Sequence, residues 1–540
     1  MEHRPGKNLA VAWLEGFIAS LQDASPEERE SKLRAVDLSS ASSAGNAPFS
    51  TTVVNPPLSS RSTNVLRLGT DGSPPPYHGA TSIYQVQMDY EGSTPAESSD
   101  LTPPSASEPF TSTDHVLRHF GIDVDSDAVT QCLVQFFRWQ YPNLMFVYRE
   151  AFLRGHFGDR AGSRYWSLSL LLSVCALGSL MLPREHGEGG REQPSGEQFY
   201  GAAESIAMVT GLTRPSIPTV QTFLCLAFYE IGLGNLSKGW AYSEAGIAFR
   251  VAQDLGIQKD PELWTSRGSS PSSQEDMEVR RRIYWGCYVS DKLVSLVLGR
   301  PVHLPYDEAQ VKELETMPQG QSDAPFTLPW RSVGFDDDTS PQPTDRSMIP
   351  YIKEQIRLSR VIERMLGTVF SPRADDGGGS DHHQQQQQQE QQDRRRQALD
   401  RLNIDLAAWK SELPGWADFN TWEFIDEPLK PSTAALHLLY NSARIALNYN
   451  EAVAQETDDR RDRAREVCAR SASEIASLLR RYRHQYGLRH APLVIVYAMA
   501  QAIRAIKALG TTEEARNLVE AMSQCSVTWM LAEKVLNRRL

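Results

Sequence analysis

The chain has 540 residues, 40% of them apolar, enough to bury a sizeable core and to form roughly two to four domains. Its formal net charge of -12 counts against direct DNA binding by the chain as a whole, because such binders draw most of their affinity from basic groups that neutralise phosphate. Its first residues, with an acid already at Glu15, hold no secretory apolar run, and Cys132, Cys175, Cys225, Cys287, Cys468 and Cys525 are scattered without a CxxC pair. That is the pattern of reduced, buried thiols in an intracellular protein.

Taken in chain order, residues 7–36 read as a helix with Leu14, Phe17, Ile18 and Leu21 on one face. The stripe is too short for an independent coiled coil, so 1–37 is expected to be a short helical segment. From Leu38 to Thr113 the chain is dominated by Ser, Pro, Thr and Gly (SPPPYHGATS, STPAESSDLTPPSASEP). Such a stretch cannot bury enough apolar surface to offset its ordering entropy, so 38–113 reads as a disordered linker whose serines are open to phosphorylation. Order is expected to resume near Asp114. An aromatic block follows from Phe136 to Phe152, broken by a proline and then by a short second helix.

Helices are expected at 164–182, 196–211, 218–231 and 237–256, the last two forming an antiparallel hairpin around Gly232 and Gly234. Tyr165 to Pro183 runs without a charge and is just long enough to cross a bilayer. Its four serines, its glycine and the lack of a second span favour a buried helix of a large domain. Another helix is expected at 275–298, then a proline- and acid-rich loop from Pro301 to Ser347 containing GFDDDTSPQPTD. Helices at 348–370, 393–412, 431–456, 462–486, 491–509 and 512–538 complete the chain, interrupted by a low-complexity, glutamine-rich insert at 375–392. No appreciable segment alternates with period two, so the fold class is all-α: one large multi-helix regulatory domain over 114–540 behind a disordered Ser/Pro-rich linker.

The stretch from Glu278 to Pro305, EVRRRIYWGCYVSDKLVSLVLGRPVHLP, is the most informative. An apolar helix carries Asp291 well inside it and stops at Gly299-Arg300-Pro301. Glycine can take the left-handed conformation that closes a helix and proline forbids continuation, which predicts positive φ at Gly299. Arg300 is placed to reach the last carbonyls of the helix, where the dipole favours a cation. Asp291 is expected to pair with an arginine such as Arg282 or Arg300. Trp240, Tyr284, Trp285 and Tyr288 are expected to line the core, with a small-molecule effector pocket as the rival reading.

This stretch resembles the signature of the fungal-specific transcription factor domain, the regulatory region downstream of the zinc binuclear cluster in fungal gene regulators. Three other passages resemble the same family in order and spacing: the Phe136-to-Phe152 block; Thr219 to Glu230 with Gly234 to Trp240 and Ala248 to Gly256; and Leu436 to Leu447. The resemblance implies a nuclear regulator of transcription that acts on promoter DNA, with itself or other regulators as partners, and a dimerisation element that the helix at 7–36 would match. Its signature residues here are Trp285, Asp291, Gly299, Arg300 and Pro301, expected to be structural. The family's cluster needs six converging thiolates, which the spacing of these cysteines denies. No cofactor is therefore expected on this chain, and DNA contact is expected from a partner or from a zinc cluster encoded upstream.

Other motifs carry less. Asp458-Asp-Arg-Arg-Asp462 matches the DDxxD pattern by which all-α prenyl-diphosphate enzymes hold magnesium. Each acid sits beside an arginine and no second metal motif accompanies it, so an exposed, salt-bridged helix start is expected and the terpenoid-enzyme reading is the alternative. His382-His383 reads as low complexity, and the arginine runs at 280–282, 394–396 and 480–481 as solvated faces open to a role in nuclear import or phosphate contact. No catalytic, cofactor or metal residue is assigned.

Overall fold

The computed structural model describes residues 113–141, 143–182, 194–245, 247–260, 274–312, 314, 345–370, 381–419, 429–455, 458–510 and 512–538. The expected N-terminal helix, the linker and most of the acidic loop after Pro301 lie outside them. Helices α1 (Thr113–His119), α2 (Asp127–Gln135) and α3 (Arg149–Phe157) lead into α4 (Leu168–Ser179) and α5 (Gly196–Ile206). They are followed by α6 (Ile217–Gly232), α7 (Leu236–Trp240), α8 (Ala248–Asp254) and α9 (Gln274–Leu298). The second half comprises α10 (Asp345–Thr368), α11 (Asp381–Ser411), α12 (Pro431–Ala452), α13 (Asp459–Tyr486), α14 (Val494–Leu509), α15 (Thr512–Cys525) and α16 (Met530–Asn537). Among the described residues no strand forms; Lys259 and Gln310 make an isolated parallel bridge.

The helix starts follow local chemistry. Ser167 Oγ accepts from the Leu170 amide at 3.2 Å to cap α4, Ser195 and Gln198 form a reciprocal capping box on α5, and Asp458 accepts from the Arg461 amide at 2.8 Å on α13. Pro431 opens α12, where its missing N–H costs nothing. The charge-free run suspected of spanning a membrane yields α4, only 12 residues long and buried from Ser169 to Gly178 against α2, α5 and α6. Among the described residues no helix is long and apolar enough to cross a membrane.

Neighbours in sequence pack together: α9 on α10, α10 on α11, α12 on α13 and α14, and α14 on α15. The last helix departs from that rule by returning to α6. Trp529, just before α16, lies so close to Gly232 that a Cβ there would sit 2.5 Å from its ring. From the other side, Trp139 stacks on His490 at 4.5 Å. The two halves of the chain thus share one core.

Three expected helices differ. The span 237–256 is broken: α7 passes into a π-turn at Ala241–Ala245, and α8 restarts at Ala248. The span 512–538 is split at 526–529, where Thr528 Oγ1 donates to the Arg489 carbonyl (2.7 Å) and the Trp529 indole N–H to the Ala491 carbonyl (2.8 Å). These side-chain bonds tie the turn to 489–491 while the Thr528 and Trp529 amides still donate to the Cys525 carbonyl (3.1 and 2.9 Å), and the β-branched pair Val527-Thr528 has a lowered helix propensity. The helix expected at 393 begins at Asp381, inside the glutamine tract, and residues 389–394 are exposed. Glutamine is a competent helix former, so the tract can be helical without contributing to a core.

Candidate functional site

Helix α9 ends as its sequence demands. Gly299 has φ 65°, and the Arg300 amide donates to the Ser295 carbonyl at 3.0 Å, the 6→1 bond of a Schellman motif. Ser295 Oγ also donates to the Pro301 carbonyl at 3.2 Å, folding the chain back along the helix. This return brings the amides of His303 and Leu304 onto the Asp291 carboxylate, at 3.1 and 2.9 Å.

Asp291 is fully buried, and its cationic neighbour is Lys292, equally buried, whose ammonium lies 2.6 Å from it. This corrects the expected pairing with an arginine: Asp291 is held by a lysine and two backbone amides. Arg282 lies instead over the Tyr148 ring (4.6 Å) and 3.6 Å from Glu278, and Arg300 over the Trp240 ring (3.8 Å). Lys292 also donates to the Leu304 carbonyl, sits 4.0 Å from the centre of the Tyr288 ring and lies 3.5 Å from Glu363 of α10. Glu363 in turn accepts from the Tyr288 hydroxyl (2.7 Å) and the Tyr306 amide (2.9 Å). Burial and the Glu363 carboxylate raise the Tyr288 phenol far above its ordinary range, so it donates at every physiological pH.

The cluster therefore ties three elements together: α9, the return segment 301–306, and α10. Tyr284, Trp285 and Tyr288 are buried as expected, and Trp240 is half-buried. The Trp285 indole N–H donates to the Lys312 carbonyl at 3.0 Å. A second brace holds the other end of the return: Arg281 makes a bidentate pair with Asp260 at 2.9 and 3.0 Å, and Asp260 accepts from the Lys312 amide at 2.9 Å. At Gly286 the helix touches the aromatic block, where a Cβ would lie 2.6 Å from the Phe146 backbone.

Sequence reasoning missed Lys292 and Glu363. A lysine next to an aspartate on a helix looks like a solvated pair, since adjacent positions do not share a face. It also missed a cluster beside α6, where Lys238 pairs with Glu230 at 2.9 Å and Glu204 at 3.0 Å, flanked by Tyr200 and Tyr242. Asp291, Lys292, Glu363, Arg281, Asp260, Lys238, Glu230 and Glu204 are each matched by an opposite charge, the arrangement of a brace.

The DDxxD stretch is the exposed start of α13. Asp458 caps it, and Arg460 pairs with Asp400. The terpenoid alternative is not supported. His382 and His383 fall in the first turn of α11, and their side chains lie outside the described residues. The six cysteines are buried and free, each on a different helix. Burial pushes the thiols of Cys225, Cys468 and Cys525 up to about 12, and those of Cys175 and Cys287 are raised as well. Thiols dispersed over six helices do not converge as a zinc cluster requires.

Comparison with known proteins places the chain in a class. Residues 133–411 match the fungal specific transcription factor domain, and the chain belongs to that family. It is 30% identical over 424 residues to an uncharacterized transcriptional regulatory protein of Schizosaccharomyces pombe, C757.04, covering 76% of this chain and 62% of that one. It is 26% identical to the activatory protein CHA4 of Saccharomyces cerevisiae, over 76% of this chain and 60% of the relative. It is 24% identical to the nitrogen assimilation transcription factor nirA of Emericella nidulans, over 78% and 45%. The chain thus spans less than two thirds of the length of each of these three relatives.

Proposed function

We propose that the protein regulates transcription in the nucleus through this helical domain, as a conformational and protein-interaction module with no catalytic chemistry. The match over 133–411, in a chain whose relatives carry names of transcriptional regulators and activators, supports this reading. DNA contact comes from a partner regulator or from a zinc cluster outside this sequence, because the cysteines here do not fit one. The segment 1–37 serves self-association, 38–113 is a linker, and the domain proper begins near 114. Trp285, Asp291, Gly299, Arg300 and Pro301 act by holding the fold.

The test fuses the chain to a heterologous DNA-binding domain above a reporter gene in a fungal host. Reporter output should change severalfold, and the change should require a folded domain. Output identical to that of the DNA-binding domain alone would defeat the reading.

A further inference from the structure

The C-terminal end of α13 gathers cations that the domain leaves largely unmatched. Arg480 and Arg483, three positions apart on one helix face, are exposed, and Arg489 follows in the turn Leu488–His490. Arg138 joins them from the first half of the chain. Its guanidinium lies 5.3 Å from the centre of the Trp139 ring, which stacks on His490 at 4.5 Å and meets Tyr486 at 5.6 Å. Among the described residues no carboxylate pairs with Arg138, Arg480 or Arg489, and Arg483 has Glu520 of α15 at 3.4 Å, with both side chains about half-exposed. Arg483 already supplies the cation that the helix dipole favours in a last turn, so the dipole does not explain the other three.

The sequence supplies a matching anion. Residues 68–112, which lead directly into α1 at Thr113, contain Asp71, Asp89, Glu91, Glu97, Asp100 and Glu108 and neither lysine nor arginine. Tyr84 and Tyr90 stand close to the acids in sequence. We propose that this acidic segment docks, within its own chain, on the face formed by Arg138, Arg480, Arg483 and Arg489. Its carboxylates pair with the guanidiniums and its tyrosine rings lie on them. Arginine suits both contacts, being planar, always charged and weakly hydrated.

Reach and tethering favour this occupant over a free one. The stretch from Tyr90 to Thr113 spans about 25 Å as a flexible coil and about 75–80 Å when extended. Arg138 lies about 17 Å along the helix axis from Asp127, the first residue of α2, so the acids come within range of the face. A short tether holds them near a millimolar local concentration, which offsets the small worth of each exposed ion pair. A free polyanion such as nucleic acid lacks that advantage and meets a chain of net charge -12. Docking sets the segment beside the Trp139–His490 stack, a contact that joins the two halves of the domain. The inference takes the linker assigned above and gives its second half a partner, whatever the protein regulates.

Photo-cross-linking on the full chain tests this, with p-benzoylphenylalanine in place of Tyr90 and an equal mixture of light and isotope-labelled chains. At low salt the cross-links should fall within single chains and land on residues 138–140 and 480–490. Raising salt to about 1 M, where the screening length shrinks to about 3 Å, should cut their yield about fivefold or more without any substitution. The chain with Arg138→Glu, Arg480→Glu and Arg483→Glu should lose them while melting like the parent, since all three side chains are exposed. Adding Asp89→Lys, Glu91→Lys, Glu97→Lys and Asp100→Lys to that chain should bring them back. The proposal is overturned if the probe reacts elsewhere, if it joins light chains to labelled ones, if the yield ignores salt, or if the arginine reversal leaves it unchanged. Failure of the doubly reversed chain to regain the cross-links would overturn it too, and the salt arm decides alone if the arginine variant melts lower. None of these readouts depends on reporter output, so the docking and the regulatory reading can fail separately.

Discussion

Asp291 and Gly299 stand eight positions apart and carry different loads. The carboxylate is the nearer of two facing a fully buried ammonium and gathers the His303 and Leu304 amides, so Asp291→Ala leaves Lys292 with Glu363 alone at 3.5 Å and two amides unmatched. The expected cost is about 3–5 kcal/mol, the range for breaking a buried pair from one side. Gly299→Val forces a β-branched residue to φ 65° and disturbs the Schellman cap, costing about 1–2 kcal/mol. Denaturant unfolding measures both, and reporter output should fall only as far as folded protein does. A variant that melts like its parent yet does not regulate would move these residues from support to recognition. For the buried thiols, elemental analysis of the purified chain should find no stoichiometric zinc; about two ions per chain would reverse the reading of the cysteines.

At the scale of elements, α12 and α3 each bury a histidine in its neutral form. Burial lowers His437 and His156 to about 4 from the ordinary 6.5; His437 Nε2 lies 2.7 Å from the Ala417 carbonyl, and His156 stacks among Phe152 and Trp166. The unfolded chain takes up these protons near pH 6.5 while the folded chain refuses them until about 4. Stability is therefore fully present above pH 6.5 and falls across the window down to 4, by about 3 kcal/mol for each histidine. His437→Gln removes one proton from that linkage. Its stability should decline less steeply between pH 6.5 and 4; a slope equal to the parent's would mean that His437 protonates freely in the fold. Much of this element level could be read from the sequence. The α9 boundaries, the Gly299 cap and the buried aromatics of α9 follow from glycine, proline and apolar periodicity, which are local signals. The Asp291–Lys292–Glu363 cluster could not be read, because Glu363 reaches α9 from another helix and nothing in a one-dimensional pattern distinguishes a buried lysine from a solvated one. The split of 512–538 was hidden for the same reason: its carbonyl partners belong to Arg489 and Ala491.

Across the whole molecule, the match to the family ends at Ser411 but the core does not. Helix α12 packs on both α10 and α11, α16 lies against α6, and Trp139 stacks on His490. Trp529, 1% exposed, fills the hollow that Gly232 leaves on α6, and its indole donates to the Ala491 carbonyl. Removing such a side chain opens a cavity costing about 3–5 kcal/mol, so Trp529→Ala should lower stability by that much although it lies well beyond the matched region. A chain ended after Ser411 loses all of α12–α16 and uncovers apolar faces of α6, α10 and α11 together. It should keep far-ultraviolet helical signal, bind a hydrophobic dye and show no cooperative melting, the signs of a collapsed state without fixed packing. Cooperative melting of that shortened chain near the parent's temperature would mean that residues 133–411 form a domain by themselves and that the C-terminal helices are an addition to it.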